Sequence, residues 1–245
     1  MTNSFVHLHA HTEYSMLDGA AKIKDYLTKV KELNQPAAAI TDHGNLYGAL
    51  EFVKVAEEIG VKPIIGYEAY ITPGSRFDRP DRQNNKRYHL TLLAENNVGY
   101  QNLVELVSKA FIEGYYYKPR IDKEILEEYS EGLIALSGCL ASEIPSLITL
   151  DQMDKARETI DWFRQVMGPD NFYLEMQNHG IPEQMTVNKT LIPWAKEFGL
   201  KLVATNDVHY IDKSHSHAHD CLICIGTQSH LNEEKRMRYV QEQFY

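Results

Sequence analysis

The feature that most constrains the fold of this 245-residue chain is a regular alternation of short apolar segments with longer amphipathic ones. The short segments are rich in β-branched residues, and the longer ones carry apolar residues at helical spacing, which is typical of repeated βα units. The pattern therefore predicts an α/β fold with seven strands of parallel-sheet character. The predicted strands are Phe5–His9, Ala37–Ile40, Pro63–Tyr70, Tyr88–Leu93, Gly132–Leu136, Phe172–Glu175 and Leu202–Thr205.

The segments with helical spacing have clear ends. A glycine follows most of them, and glycine tolerates the left-handed conformation that closes many helices. The predicted helices are Ile23–Leu33, Leu50–Ile59, Tyr100–Ile112, Met153–Met167 and Met185–Phe198. One segment breaks the rhythm: Thr72–Lys86 is polar, contains proline and has no periodicity, which predicts a surface loop.

Composition excludes several classes of protein. With 43% apolar and 24% charged residues the chain is globular rather than disordered or fibrous. No apolar run approaches the roughly 18 residues of a membrane span, and no secretory signal opens the chain. Three cysteines suit a reducing compartment, so we expect a cytoplasmic protein without a membrane partner. The net charge of −9 argues against a free-standing, high-affinity binder of nucleic acid.

Histidine is the unusual residue, because the chain has 11 and many of them stand with acidic residues near the ends of predicted strands. Active sites of βα barrels lie at the carboxyl edge of the sheet. In the H-x-H at residues 9–11 and the D-x-H at residues 207–209, an extended chain points both ligating side chains to one face. Imidazole, carboxylate and thiolate together suit zinc, manganese or iron.

Each of these residues also has an ordinary structural explanation when it is taken alone. Asp42 would cap a helix, and Cys139 would be a small buried side chain. A cluster of so many titratable groups at one edge would nevertheless be costly without bound cations. The sequence therefore predicts a metal site.

Seven stretches of the chain carry a distinctive combination of these residues: HLHAHTEYSMLDG, AAAITDHGNLYG, GYEAYI, YHLTLLAENNVGYQNL, YYYKPRID, LIALSGCLASEI and VATNDVHY. They resemble the PHP (polymerase and histidinol phosphatase) domain family, and above all the version that opens the α subunit of bacterial DNA polymerase III. The resemblance covers essentially the whole chain. It implies a distorted (β/α)7 TIM-like barrel of the PHP type.

The resemblance also implies up to three divalent ions, zinc, manganese or iron rather than magnesium, held by nine ligands. The implied ligands are His9, His11, Asp18, His43, Glu68, His89, Cys139, Asp207 and His209. The same resemblance implies that one ion is bound by four residues, which are also the implied catalytic residues: His9, His11, Glu68 and Asp207. A second ion belongs to Glu68, His89 and Cys139, and a third to Asp18, His43 and His209. Asp42 is expected to accept a hydrogen bond from a ligand imidazole.

The reaction we expect is metal-assisted hydrolysis of a phosphate ester, because the common nucleophile and phosphate-loop motifs G-x-S-x-G, H-E-x-x-H and G-x-x-x-x-G-K-[ST] are absent from the sequence. The resemblance implies that the substrate is a DNA 3′ end, cut as a 3′→5′ proofreading exonuclease within a replicative polymerase. Two alternatives stay open. The domain is either a metal-stabilised scaffold of the polymerase without turnover, or a phosphatase or pyrophosphatase for a small phosphorylated substrate.

Several further residues have a functional and a structural interpretation of similar weight. Lys118 and Arg120 would contact substrate phosphate, or be charges at the surface or the edge of the core. Glu175 and His179 would face the site without ligating, or be structural. For Tyr115–Tyr117 loop packing is favoured over base stacking, and for the C-x-x-C at residues 221–224 helix packing is favoured over a zinc or redox site.

The chain changes character after residue 214. Residues 1–214 carry the βα alternation and all nine implied ligands, so we expect them to form the metal-binding barrel. Residues 215–245 begin with clustered histidines, continue through an apolar stretch and then turn basic. We expect a C-terminal helix followed by an exit segment toward a polymerase body that is missing from this sequence.

Overall fold

The structure is a computed structural model that describes residues 5–81, 83–239 and 242–245. Arg82 in the predicted loop, and Val240 and Gln241 in the predicted exit segment, lie outside the described residues, as do residues 1–4. The chain divides into two compact units. The first unit comprises Met1–Asp42, Tyr47–Ile65 and Thr205–Tyr245, and the second comprises His43–Leu46 and Gly66–Ala204.

The helices and strands follow one another in the order expected of a mixed α/β chain. Their bounds are α1 Ile23–Glu32, β1 Ala37–Ile40, α2 Ala49–Ile59, β2 Lys62–Ile71, β3 Tyr88–Ala94, α3 Asn97–Ile112, β4 Arg120–Ile121, α4 Lys123–Glu128, β5 Leu133–Leu136, α5 Glu143–Thr149, α6 Met153–Met167, β6 Phe172–Met176, α7 Pro182–Phe198, β7 Lys201–Ala204 and α8 Ser216–Thr227. The five predicted helices are confirmed, and α6 agrees at both ends. The helix α8 lies in segment 215–245, while the division of the chain at residue 214 stays a prediction.

The core of the first unit is built from one face of α1 and its neighbours. Helix α1 buries Ile23, Leu27 and Val30, which recur at helical spacing, and it packs against α2. Strand β1 is buried along its whole length and pairs in parallel with Lys62–Ile65 of β2. Each fully buried aliphatic side chain of this kind contributes about 1.5–3 kcal/mol to folding.

The second unit contains the rest of β2 and the strands β3 to β7. The strand order is β2-β3-β5-β6-β7, and β4 pairs with β2. The β5–β6 and β6–β7 pairs are parallel, but β2–β3 and β3–β5 are antiparallel. The predicted parallel character is therefore wrong at β3. Parallel neighbours need a crossover, usually a helix, whereas the described residues between β2 and β3 contain none.

The predicted first strand, Phe5–His9, is also wrong. The chain there makes main-chain hydrogen bonds, including Ala39 N to His7 O at 2.9 Å, but it forms no strand, and isolated bridges follow only at Ala10 and Thr12. One reason is that the main-chain N–H of Ala10 donates to the Thr41 hydroxyl at 2.8 Å, where a regular ladder would use a carbonyl. The structure still has seven strands among its described residues, because it contains the short strand β4, which the sequence did not predict.

The predicted loop Thr72–Lys86 contains no helix or strand among its described residues, as expected. It is not wholly a surface feature, because Arg76 is buried within it. No described helix is both long enough and apolar enough to cross a membrane.

Replacing Asp122 by alanine is expected to lower the free energy of unfolding by about 3 kcal/mol, because a buried ion pair loses one partner. The Asp122 carboxylate accepts from Arg76 N at 2.7 Å and from Arg76 Nη1 at 3.2 Å, and it caps α4 through Ile125 N. Denaturant unfolding measures the change. The matched control is Glu124→Ala, which removes another Arg76 partner whose side chain is 76% exposed, and it should cost less than about 1 kcal/mol. Equal losses in both variants would contradict this account.

Candidate metal centre

Two short segments of the first unit bring four histidine and aspartate side chains side by side. The N–H of His11 donates to Val208 O at 2.7 Å, and the N–H of Val208 donates to His9 O at 3.1 Å. This pairing aligns the H-x-H of residues 9–11 with the D-x-H of residues 207–209. As a result the Nε2 atoms of His9 and His11 lie 3.3 and 3.2 Å from the same oxygen, Asp207 Oδ1.

The hydrogen-bonding pattern fixes which nitrogen of His11 carries a hydrogen. The Ser15 hydroxyl donates to Asp42 Oδ1 at 2.7 Å, so toward His11 Nδ1, 2.9 Å away, it can only accept. The Nδ1 of His11 is therefore the donor. In the neutral ring Nε2 then turns a lone pair toward Asp207 Oδ1.

This arrangement tests whether the residues suit a metal ion. A lone pair and a carboxylate oxygen 3.2 Å apart attract only when a cation, a proton or a metal ion, lies with them. The ligand atoms of His9, His11 and Asp207 all lie within 4.8 Å of one another, and all three residues are buried. Two imidazoles and a carboxylate at this spacing can share one ion at metal–ligand distances of about 2 Å. The ligand atoms of His9, His11 and Asp207 are therefore suited to binding a metal ion.

The carboxyl group of Asp207 is held ionised in this setting. Burial is the largest influence and acts to raise its pKa, but the neighbouring imidazoles of His9, His209 and His11 together hold the pKa well below the usual range. Its backbone is also left-handed, with φ of 46°, which is uncommon outside glycine. A buried, charged side chain on a disfavoured backbone is typical of a functional position.

Asp18 and His209 lie together in the same unit. His209 Nδ1 lies 2.8 Å from the main-chain oxygen of Asp207 and donates to it, which leaves Nε2 with a lone pair 3.9 Å from Asp18 Oδ1. The Tyr239 hydroxyl lies 3.1 Å from His209 Nε2 and 3.3 Å from Asp18 Oδ1. Sequence reasoning missed both Tyr239 and Ser15, since neither belongs to a ligand-spacing pattern.

The second unit carries its own group of predicted ligands around Glu68. His43 and Glu68 form a parallel bridge, and His43 Nδ1 lies 2.6 Å from Glu68 Oε2. His89 Nδ1 lies 3.0 Å from the same oxygen. Because β3 runs antiparallel to β2, its first residues pair with the last residues of β2, and His89 stands opposite Tyr70. The direction that contradicts the parallel prediction is thus what brings His89 to the predicted edge.

Glu68 is buried and ionised for the same reason as Asp207. Burial acts to raise its pKa and is the largest influence, but the charges and hydrogen bonds of His89 and His43 hold the pKa well below the usual range. A carboxylate that faces two imidazoles in this way offers the oxygens that one or two ions need. The group therefore also fits a metal ion.

Cys139 completes this group from a tight turn after β5. Its Sγ lies 3.7 Å from His89 Nδ1 and 3.9 Å from Glu68 Oε1. The turn depends on Gly138, whose φ is +81° and where a Cβ would overlap the Ser142 hydroxyl. Glu175 Oε2 accepts the Gly138 N–H at 2.9 Å.

Glu175 and His179 lie in a buried hydrogen-bonded network. Gln177 Nε2 donates to Glu175 Oε1 at 3.2 Å, while Gln184 bonds both the main chain and the ring of His179. These contacts give Glu175 a supporting role next to the Cys139 turn, and they favour the structural interpretation of His179.

The two basic candidates of the Y-K-P-R-I-D motif have different surroundings. Arg120 is completely buried, and its guanidinium donates to the main-chain oxygens of Gly114, Arg76 and Asp78. This location favours the structural alternative for Arg120, because these donors already hold the loop. Lys118 is exposed, and its Nζ lies 5.4 Å from the centre of the Tyr70 ring. That ring packs on His43 and His89, at centroid distances of 5.9 and 5.3 Å.

The second cysteine pair has the surroundings that the packing interpretation expects. Cys221 and Cys224 lie in α8, and Cys224 is buried. Neither takes part in a metal-binding group formed by the described residues.

Each unit carries part of the predicted ligand set. The first unit assembles His9, His11, Asp18, Asp207 and His209, and the second assembles His43, Glu68, His89 and Cys139. The predicted assignment of ions to ligands, including the sharing of Glu68 and the place of His43, stays a prediction.

Comparison with known proteins supports the resemblance to the PHP domain family at the level of sequence. The profile of the family described as PHP domain matches residues 7–179. Among curated relatives, DNA polymerase III subunit alpha of Thermus aquaticus is 51% identical over 245 residues, which is 98% of this chain and 20% of the relative. The same subunit of Borreliella burgdorferi is 48% identical over 242 residues, 98% of this chain and 21% of the relative. The chain therefore spans about a fifth of the length of these relatives.

Two solved structures share the fold. A protein of Bifidobacterium adolescentis, provisionally described as a metal-dependent phosphoesterase, has a TM-score of 0.53 and 17% identity, over 84% of this chain and 88% of that one. An amidohydrolase of Chromobacterium violaceum with bound sulfate has a TM-score of 0.52 and 15% identity, over 84% and 87%. At these identities the likeness concerns the fold alone. The expected α/β fold is confirmed, and the distorted TIM-like barrel is consistent with it.

Proposed function

This chain belongs to the PHP domain family, and from that premise we propose that it is a metal-dependent phosphoesterase domain. The observation that carries the proposal is the approach of His9 Nε2 and His11 Nε2 to one oxygen of Asp207, at 3.3 and 3.2 Å. The group of His43, Glu68, His89 and Cys139 supports it independently. We propose that these nine side chains hold up to three divalent ions, with zinc, manganese and iron as the candidates.

The side chains of this chain divide the work. When bound, such ions lower the pKa of a coordinated water and neutralise phosphate oxygens. Asp207 and Glu68 supply buried negative charge for the cations, while Ser15 and Asp42 hold the His11 ring in the form that presents Nε2. Lys118, exposed beside Tyr70, is placed to attract a phosphate of the substrate. No protein nucleophile is needed.

The substrate we propose is the 3′ end of a DNA strand, cut in the 3′→5′ direction. Support comes from the relatives, which carry the name DNA polymerase III subunit alpha and are about five times as long as this chain. We propose accordingly that a polymerase body is the partner of the domain, that the activity serves proofreading, and that it operates in the cytoplasm. The net charge of −9 implies that the domain by itself grips DNA weakly.

The test is degradation of a 5′-labelled single-stranded DNA with added manganese or zinc. Wild type runs beside His9→Ala/His11→Ala and beside Lys201→Ala, which removes only an exposed ion pair with Asp170. Progressive shortening from the 3′ end by wild type and Lys201→Ala, with none by the double variant, supports the proposal. Equal signals in all three would identify a contaminant. Metal binding without cleavage by any of them would favour the scaffold, or a small phosphorylated substrate.

Replacing Ser15 by alanine is expected to weaken metal affinity about tenfold, because His11 loses the partner that holds its ring and its tautomer. Competition against a chromophoric chelator measures the affinity. Ser108→Ala, which removes an exposed serine that bonds only a helix carbonyl, is the matched control and should bind metal as wild type does. Unchanged affinity in Ser15→Ala would show that the Ser15–His11 bond does not organise the ligand.

A further inference from the structure

We propose that Tyr117 and Lys118 form a binding site for single-stranded nucleic acid, with a base stacked on the Tyr117 ring and a backbone phosphate on the Lys118 ammonium. The inference rests on the proposed function, since it locates the substrate strand beside the same metal-binding group. It assigns a role to part of the Tyr115–Tyr117 run for which sequence alone favoured loop packing.

Tyr117 combines two features that do not stabilise the fold. Its side chain is 61% exposed, and its backbone lies in the left-handed region with φ of 62°. Bulky side chains rarely adopt this conformation, and an exposed ring gains little from burial. A disfavoured backbone that presents a large aromatic surface to solvent points to a ligand rather than to packing.

The turn that presents Tyr117 is held firmly on both sides. The N–H of Tyr116 donates to Lys118 O at 3.1 Å, which closes the turn around Tyr117. The Tyr116 hydroxyl donates to Pro80 O at 2.7 Å, and its ring meets the Tyr117 ring edge-on at 4.7 Å. One face of a rigid tyrosine is therefore offered to solvent with little conformational entropy left to lose.

Lys118 connects this ring to the metal-binding group of the second unit. Its Nζ lies over the Tyr70 ring, and Tyr70 packs against two predicted ligands, His43 and His89. Lys118 has no carboxylate partner among the described residues, although the chain is acidic overall. An unpaired cation one ring away from His43 and His89 is suited to a phosphate group.

The chemistry of the pair selects the ligand class. Every base has an aromatic face, so stacking on tyrosine accepts any sequence, and a lysine beside it follows the backbone charge. In a duplex the base faces are already stacked and out of reach. The site is therefore expected to prefer single strands and to show little base specificity.

The principal test variant is Tyr117→Gly, because glycine accepts a φ of 62° without strain. We expect Tyr117→Gly to unfold at a temperature no lower than wild type and to bind a 5′-fluorescein oligothymidylate about tenfold more weakly at low salt. Tyr117→Phe keeps the ring and should bind within about twofold of wild type. Lys118→Met should weaken binding and reduce its dependence on salt. Fluorescence anisotropy of the metal-bearing protein gives the dissociation constants, over times at which a gel shows intact oligonucleotide.

A second measurement separates this inference from the proposed function. Hydrolysis of bis(p-nitrophenyl) phosphate, which has no base to stack, should be unchanged in Tyr117→Gly, while kcat/KM on single-stranded DNA falls about tenfold. Wild-type binding by Tyr117→Gly, or equal dependence on Tyr117 for duplex DNA, would overturn the inference even if the enzyme is active. Tyr117-dependent binding by a protein that hydrolyses neither substrate would uphold the inference and reject the proposed function.

Discussion

Removal of divalent metal is expected to lower the free energy of unfolding of this protein by about 4 kcal/mol, the amount that a ligand at a thousand times its dissociation constant contributes. The reason lies in the buried group of His9, His11 and Asp207. Its ligand atoms are gathered only in the folded chain, so binding free energy becomes folding free energy. Without a cation, the lone pair of His11 Nε2 faces a carboxylate oxygen of Asp207, which also lies 3.3 Å from His9 Nε2.

Thermal unfolding with and without a chelator measures this loss, and zinc or manganese added back should restore the original midpoint. His9→Ala/His11→Ala serves as the matched variant, since it should already have lost most of the response to the chelator. A wild-type midpoint that the chelator leaves unchanged, in protein shown by elemental analysis to have carried metal, would contradict the account.

Replacing Asp207 by asparagine is expected to lower phosphoester hydrolysis about 10³-fold. One carboxylate oxygen of Asp207 lies close to both His9 Nε2 and His11 Nε2. Asparagine keeps the shape of this side chain but removes its charge. Charge stabilisation by a bound metal is worth several kcal/mol, and each 1.36 kcal/mol corresponds to about tenfold in rate. The kcat of wild type and variant, with the metal content of each measured, gives the change.

Asp212→Asn is the matched control for this substitution. Asp212 belongs to the same unit, but its side chain is 51% exposed and pairs with Lys29. It is not one of the predicted metal ligands. Its kcat should stay within about twofold of wild type. Full activity in Asp207→Asn would rule out a role for this carboxylate in holding the catalytic ion.

The strands show where sequence reasoning succeeds and where it stops. Periodicity located β1, β3, β5 and β6 closely, because burial of an apolar strand leaves a local record in the sequence. Strand direction leaves no such record. His89 lies near the start of β3, and it stands opposite the end of β2 because β3 runs antiparallel to β2.

The candidate site shows the same division. The H-x-H and D-x-H spacings predict paired side chains from the geometry of an extended chain, and the structure aligns both pairs across Val208. Ser15 and Tyr239 could not be found this way, because one reaches His11 and the other His209 through the folded chain. Arg120 had two interpretations in the sequence, and only its buried cage of carbonyl oxygens favours one of them.

The sequence by itself determined the α/β class, most of the helices and strands, and the ligand types that gather near the strand ends. These depend on local spacing, on apolar periodicity and on the chemistry of single side chains, all of which can be read directly from the amino-acid sequence. Only the tertiary structure decided the direction of β3, the hydrogen on His11 Nδ1, and the exposure of Tyr117 on a strained turn. Each of these depends on contacts between residues far apart in sequence or on a backbone conformation set by them, and local patterns do not specify such contacts.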